Sequence, residues 1–185
     1  MYRNGRVALD GLPQPPFFGG LMELEKNWPD IQSLFKKSFW SSLHYALASV
    51  KEDGSPHVTP IGSLFLTDPT KGFYFEIFTS QMPQNFKTNQ RVCVLAVRSG
   101  LGYWLKSLIW GRFSTPPALR LLGRVGERRP STAEERRQWL GRVGMFRWFK
   151  GYDLLWRDTR SVREIHFEAM HPIRLGTMTA GNWRT

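Results

Sequence analysis

A short polar segment between two apolar runs carries the residues best suited to chemistry in this sequence. If a helical turn begins after Met82-Pro83, its first backbone N–H groups would be free to bind an anion such as phosphate. Hydroxyl, amide and ammonium donors of the same segment would add to them. These donors are Thr79, Ser80, Gln81, Gln84, Asn85 and Lys87. The residues alone leave a second interpretation open, because a polar segment between strands is more often a simple connection.

The motifs of common metal, nucleotide and hydrolytic sites are absent from the sequence. It has no GxxxxGK[ST] and no GxSxG motif, and Gly123-Arg124-Val125-Gly126 lacks the third glycine of a dinucleotide fingerprint. The acidic pair Glu134-Glu135 is explained by a helix N-terminus. The histidines show neither i, i+4 spacing nor a CxxC companion, so no metal site is predicted. They are His44, His57, His166 and His171. No catalytic residue is predicted either.

The charge of the chain favours anionic partners, since 26 basic and 15 acidic residues give a net charge of +11. Charge alone does not choose among nucleotides, phosphorylated cofactors, nucleic acid and acidic lipid. The sequence has no apolar run of about eighteen residues and no apolar N-terminal block. Its single cysteine, Cys93, lies in a predicted strand and excludes an intrachain disulfide. These features predict a cytoplasmic protein without a transmembrane segment.

Residues 43–97 form the centre of the predicted fold. They contain four short apolar runs rich in Val, Ile, Phe and Tyr, separated by two compact turns and by the polar segment. The turns, at 54–56 and 68–72, carry Gly, Pro and Asp, which are the usual turn residues. The pattern predicts an antiparallel meander that forms the core of a small barrel.

The N-terminal part of the sequence divides near residue 28. Residues 1–28, rich in proline and glycine near their start, are predicted as an N-terminal arm. Asn27-Trp28-Pro29-Asp30 has the composition of a helix start, and the apolar face that begins at Ile31 predicts a helix over 29–41. Residues 29–185 are predicted as one barrel domain.

An aromatic segment, 99–117, follows the meander. Its many apolar side chains and few acids favour a flap or helix packed on the barrel or at a dimer interface. The interleaved Lys106 and Arg112 leave a second interpretation open, a lid over a ligand or a membrane surface.

The remaining residues predict three strands and one helix. The strands are expected at 118–127, 162–169 and 173–178. A capping box of Ser131 and Glu134 predicts a helix to about residue 143. Its arginines are expected on a solvated face; they are Arg136, Arg137 and Arg142.

The runs HVTPIGSLFL, GFYFEIF and NQRVCVLAV, with the polar segment between the last two, resemble the pyridoxamine-phosphate-oxidase-like, FMN-binding split-barrel family. The resemblance is clear over 43–97 and weaker beyond it. It implies a mainly β fold with a few helices, in which six antiparallel strands form a split barrel. It also implies a homodimer that binds FMN in a groove between its subunits.

The resemblance also implies which residues of this chain bind the cofactor. The flavin ring would lie along one strand, formed by His57, Val58, Thr59, Pro60, Ile61 and Gly62. The ribityl-phosphate tail would be held by Phe75, Glu76, Ser80, Gln81, Asn85 and Lys87. Three positions depart from the family pattern, since Gln81-Met82 replaces a basic pair and Glu76 replaces a threonine. An acid at position 76 is expected to repel a nearby phosphate.

The function implied is that of an FMN-dependent oxidoreductase that passes hydride between a small substrate and flavin N5. His171-Pro172-Ile173-Arg174 does not reproduce the C-terminal segment of true pyridoxamine phosphate oxidases, so that activity itself is not expected. One alternative is a non-catalytic carrier or sensor of flavin or haem, and a deazaflavin is an alternative cofactor. A further alternative is a basic protein that binds a membrane surface or nucleic acid, of which nucleic acid is the less expected partner.

Overall fold

The computed structural model describes residues 18–156, 159–180 and 182 of the chain. In this part of the chain, five α-helices and seven strands follow one another. The helices are α1 (Phe18–Ser42), α2 (Gln81–Thr88), α3 (Leu101–Trp110), α4 (Ala133–Val143) and α5 (Gly151–Trp156). The strands are β1 (Tyr45–Val50), β2 (Pro56–Ile61), β3 (Phe65–Leu66), β4 (Lys71–Phe75), β5 (Arg91–Val97), β6 (Ala118–Pro130) and β7 (Ser161–Pro172).

Helix α1 begins at Phe18, earlier than the predicted start at residue 29. Residues 18–28 of the predicted arm are therefore helical, and 1–17 lie outside the described residues. Pro29 lies inside the helix, where a proline costs about 3 kcal/mol. The apolar stripe continues past it, because Leu24 and Trp28 are both buried. Each large buried side chain contributes about 1.5–3 kcal/mol, which offsets the cost of the proline.

All seven strands form one antiparallel sheet in the order β2-β1-β5-β6-β7-β4-β3. The β1–β2 hairpin is local, with Tyr45 opposite Ile61 and Val50 opposite Pro56. Strands β3 and β4 also form a hairpin. Apart from these two hairpins the meander prediction is wrong, because β4 pairs with β7 and α2 connects β4 to β5. The run HVTPIGSLFL is not one strand but β2 and β3. Between them the Ser63 hydroxyl donates to the Phe75 carbonyl at 3.0 Å and accepts from its N–H at 3.1 Å.

The long strands β6 and β7 both extend beyond their predicted ends. They approach so closely at Gly123 that a Cβ there would lie 2.3 Å from the His166 carbonyl oxygen, so this position requires glycine. The prediction of a strand at 173–178 is wrong. A 3-10 turn, Gly176–Thr179, occupies that region, and the Thr179 hydroxyl closes it by bonding the Gly176 carbonyl at 3.2 Å.

Helix α4 has a capping box, but one residue later than predicted. The Thr132 hydroxyl accepts from the Glu135 N–H at 3.2 Å, and the Glu135 carboxylate accepts from the Thr132 N–H at 2.8 Å. Ser131, the predicted cap, donates instead to the Thr159 carbonyl. Arg142 is not on a solvated face: its guanidinium lies 3.4 Å from the centre of the Phe65 ring, and burial lowers its pKa to about 10.

Two apolar clusters hold these elements together. The larger lies between α1 and the inner face of the sheet, where Ile31, Leu47 and Leu119 are fully buried. The smaller lies under α4 and contains Phe73, Phe75, Trp139, Val143 and Val162. No helix in the described part of the chain is long and apolar enough to cross a membrane.

Candidate functional site

The polar segment of the sequence forms α2 and the two residues before it, and the helix begins at Gln81, before Met82-Pro83 and not after it. Ser80 is the N-cap residue, and its side chain makes no cap bond with any residue that the structure describes. The neighbouring Thr79 hydroxyl is buried and, among the described residues, has no hydrogen-bond partner. Pro83 has no N–H, so the free N–H groups of the first turn belong to Gln81 and Met82. This helix start offers several donors that the described residues leave unused.

A chain of polar contacts ties α2 to strands β1 and β2. Gln81 Nε2 donates to Asn85 Oδ1 at 2.9 Å, and Asn85 Nδ2 donates to the Ser49 hydroxyl at 2.9 Å. Ser49 Oγ lies 3.4 Å from His57 Nδ1. The structure therefore brings together three predicted site residues, Gln81, Asn85 and His57. Ser49, which joins them, was not predicted, although a serine at an inward position of β1 was visible in the alternation of that strand.

The expected repulsion by Glu76 is removed by two arginines that the sequence did not indicate. The Glu76 carboxylate lies 3.0 Å from Arg163 Nε and 3.2 Å from Arg128 Nε. Two cations against one carboxylate leave this end of β4 positive. Burial, and next the Glu76 charge, raise the pKa of the Tyr74 phenol.

Strand β2 lies at one edge of the sheet, and in the described chain its only neighbour is β1. Val58 is 61% exposed, whereas Ile61 is buried in the larger core. Pro60 offers no N–H to a further strand, which suits an edge. Gly62 lies so close to Leu43 that a Cβ at position 62 would be 2.9 Å from the Leu43 carbonyl oxygen. The free edge and the outward face of β2 are thus open to a ligand.

Two of the predicted site residues are placed less favourably. The Phe75 side chain is 1% exposed and packs on Trp139, and both its N–H and its carbonyl are bonded to Ser63. Lys87 lies in the last turn of α2, at the opposite end from Ser80, where a cation interacts favourably with the helix dipole. The remaining residue of the ring strand, Thr59, is half-buried.

An open antiparallel sheet with an edge strand beside an uncapped helix start defines a split-barrel protein with a candidate site for an anionic cofactor. The pyridoxamine 5'-phosphate oxidase family model matches residues 36–173, which is more than half of the chain. The chain therefore belongs to the pyridoxamine 5'-phosphate oxidase family. No curated protein matches it significantly.

Two solved structures share the fold at low sequence identity, and a third is similar with a lower TM-score. An FMN-binding protein from Syntrophomonas wolfei is 10% identical with a TM-score of 0.51, covering 84% of this chain and 97% of that one. HupZ from Group A Streptococcus is 17% identical with a TM-score of 0.50, covering 80% and 94%. The heme storage protein HutZ from Vibrio cholerae is 14% identical with a TM-score of 0.48, covering 82% and 95%.

The residues at the start of α2 fit a phosphorylated cofactor. The unpartnered Thr79 hydroxyl, the uncapped Ser80 hydroxyl and two free N–H groups are all donors to an anion. The one carboxylate at the end of β4, that of Glu76, is already neutralised by arginine.

Proposed function

We propose that the chain binds FMN at the start of α2 and along β2, and that it acts as an FMN-dependent oxidoreductase. The observation that carries the proposal is the open start of α2, where the Thr79 and Ser80 hydroxyls have no partner among the described residues. A buried hydroxyl without a partner costs stability unless a ligand supplies the missing bond. Family membership, and the FMN bound by the Syntrophomonas wolfei protein of the same fold, support flavin as that ligand.

Each part of the site has a task in this function. FMN supplies hydride transfer at its N5 atom when bound. Thr79, Ser80 and the first N–H groups of α2 hold the phosphate, and Arg163 and Arg128 keep the end of β4 positive. The exposed edge of β2 orients the ring system. The contacts from Gln81 through Asn85 and Ser49 fix α2 relative to that edge.

We further propose that the chain acts as a homodimer through the outer face of its sheet. One row of small and apolar residues runs directly across five strands there, as the strand registers show. The row consists of Val58, Ala48, Cys93, Leu122 and Ala169. It borders a shallow apolar groove of about 320 Å³ and ends at β2, so a second subunit seated on it would lie beside the proposed cofactor.

Pyridoxamine 5'-phosphate is not the substrate that we propose. His171 and Arg174 are exposed at and beyond the end of β7, and residues 171–174 do not reproduce the C-terminal segment of that oxidase. We propose a small substrate that lies over the ring and takes hydride from N5 or gives hydride to it.

The absorption spectrum of the purified protein tests the cofactor. Flavin bands, with FMN released on denaturation, are expected. A Soret band, a deazaflavin spectrum, or no FMN binding on titration would contradict the proposal of FMN. Ser80→Ala and Thr79→Val should each weaken FMN binding roughly tenfold, since bonds to a charged group are lost. The matched control is Ser114→Ala, an exposed serine outside the site, which should bind FMN as the wild type does.

Reduction of the bound flavin tests catalysis separately. Anaerobic NADH or NADPH should bleach the flavin bands, and an added acceptor should restore them. A flavin that binds but is reduced by neither donor would favour the non-catalytic carrier or sensor.

A further inference from the structure

Helix α3 is attached to the protein by one face only. The Tyr103 hydroxyl donates to the Thr115 carbonyl at 2.6 Å, and Trp104 Nε1 donates to the Arg98 carbonyl at 2.7 Å. Both rings pack on the buried Phe113, with ring centres 5.5 and 5.1 Å apart. Ser107, on the same face, is buried. These contacts fix the orientation of the helix.

The opposite face of α3 exposes large apolar side chains. Leu101 is 88% and Ile109 is 71% exposed, and the other three are more than half exposed. Leu101, Leu105, Leu108 and Ile109 recur at helical spacing along one side of the helix, and Trp110 is its last residue, next to the left-handed Gly111. The five residues are Leu101, Leu105, Leu108, Ile109 and Trp110. An apolar patch of this kind marks an interaction surface.

The surroundings of this face are basic. Residues 77–126 contain no Asp or Glu and seven basic residues. Lys36 and Lys37 of α1 line one groove together with Arg98 and Tyr103 beside the start of α3. Lys106 Nζ lies 4.4 Å from the centre of the Trp110 ring. Four basic side chains near this face form no ion pair with a carboxylate of the described residues. These four are Lys36, Lys37, Lys106 and Arg112.

We propose that α3 is an interfacial helix that places its exposed apolar face in the surface of a bilayer containing anionic lipid. Apolar area buried at the interface and attraction of the flanking cations to lipid headgroups together give such binding its strength. The helix lies on the membrane and does not span it, which agrees with its ten residues.

Charge favours lipid over the other occupants of this face. In a two-fold dimer through α3, the same surface of both copies would meet, and the unpaired cations of one copy would face those of the other. Nucleic acid would meet the cations, but leucine and isoleucine side chains offer it neither stacking nor hydrogen bonds. An anionic bilayer satisfies both the apolar face and the charge. The row of outer-face residues proposed for the homodimer contains no residue of α3.

Vesicle co-sedimentation of the full chain tests the proposal. The wild type should bind vesicles of phosphatidylcholine with phosphatidylglycerol, bind pure phosphatidylcholine more weakly, and lose affinity as salt is raised. The double variant Leu105→Asp/Ile109→Asp should lose at least about tenfold in affinity, because both side chains enter the interface. Lys106→Gln should lose about fivefold, since one cation near an anionic surface contributes on the order of 1 kcal/mol.

The control is a second exposed apolar segment with the same change of charge. Leu154 is 80% exposed on α5, and Leu154→Asp/Leu155→Asp should bind vesicles as the wild type does. Circular dichroism of each variant verifies that it is folded. Absence of wild-type binding, or an equal loss in the α5 control, would overturn the proposal. So would a fall in molecular mass of the α3 variant in solution with its vesicle binding unchanged, because a second copy would then cover the helix.

Discussion

Helices α2 and α4 each follow a strand, but they differ in whether side chains of the chain bond the N–H groups of their first turn. At α4, Thr132 and Glu135 close a reciprocal capping box, and Arg129 bonds both oxygens of Glu135 at 2.6 and 3.0 Å. At α2, the N-cap Ser80 makes no cap bond, and the Thr79 hydroxyl is buried without a partner in the described chain. One helix start is saturated by its own residues, and the other is left open.

This difference separates a structural helix start from one that suits a ligand. Free N–H groups at a helix start must be satisfied by side chains, water or a ligand. Where the chain supplies every partner, as at α4, substitutions should affect stability. Where it supplies few, as at α2, they should weaken ligand binding without lowering the stability of the free protein.

The largest effect is expected from Glu135→Ala. This change removes the bonds to Thr132 and Arg129 together, and should lower the free energy of unfolding by about 2–3 kcal/mol. Chemical denaturation measures it. The control is Glu134→Ala, which removes only an exposed pair with Arg137 and should have a much smaller effect. Equal losses in the two variants would show that the capping network does not stabilise α4.

Thr79→Val is expected to change the free energy of unfolding in the opposite direction. Valine has the shape of threonine without the hydroxyl, so the free energy of unfolding of the cofactor-free protein should rise by about 1–2 kcal/mol. FMN binding by the same variant should weaken. The matched control is Thr115→Val, because the Thr115 hydroxyl accepts a bond from Arg98 at 3.1 Å and its loss should destabilise the protein. A Thr79→Val variant less stable than the wild type would show that this hydroxyl has a partner in the free protein.

Local chemistry explains which parts of this fold could be predicted from sequence. The β1–β2 hairpin and the helix after residue 131 follow from turn and cap residues a few positions apart. The cap itself was placed one residue early because Ser131 and Thr132 are both good caps, and only the bond from Ser131 to Thr159 decides between them. The start of α1 was missed because Pro29 is a stronger local signal than the buried Leu24 and Trp28.

The pairing of strands that lie far apart in the chain could not be predicted from the sequence. The pairing of β4 with β7, and the Glu76–Arg163 ion pair that follows from it, join residues about ninety positions apart. No local pattern marks such a partner. For the same reason the candidate site was predicted as a set of residues, whereas the contact through Ser49 that fixes their arrangement was not.

A smaller effect on stability is expected when each of the two N-cap residues is replaced by alanine. Thr132→Ala should lower the free energy of unfolding by about 1 kcal/mol, the usual cost of losing a cap. Ser80→Ala should leave the stability of the cofactor-free protein unchanged, since the serine side chain makes no cap bond to the described residues. Thermal or urea unfolding of the two variants in parallel measures the difference. A loss of similar size in Ser80→Ala would show that α2 is capped in solution and that its start is not open.

The smallest effect expected is a difference in pH dependence. The hydrogen bond from Arg129 holds the pKa of Glu135 below its ordinary value of 4.5. Near that pH the unfolded chain binds more protons at this residue than the folded chain does. The stabilisation is therefore complete above about pH 4.5 and is lost as the pH falls through the lower, folded-state pKa.

The stability difference between the wild type and Glu135→Gln, measured by urea unfolding, should shrink as the pH is lowered through this range. The change should be small, because the Arg129 side chain is 35% exposed and keeps its pair with Glu164 in the variant. The start of α2 contains no carboxylate, so Ser80→Ala should show no such dependence on pH. A difference between wild type and Glu135→Gln that stays constant with pH would mean that the ionised carboxylate does not stabilise the capped helix. The contrast between the two helix starts would then rest on hydrogen bonding without charge.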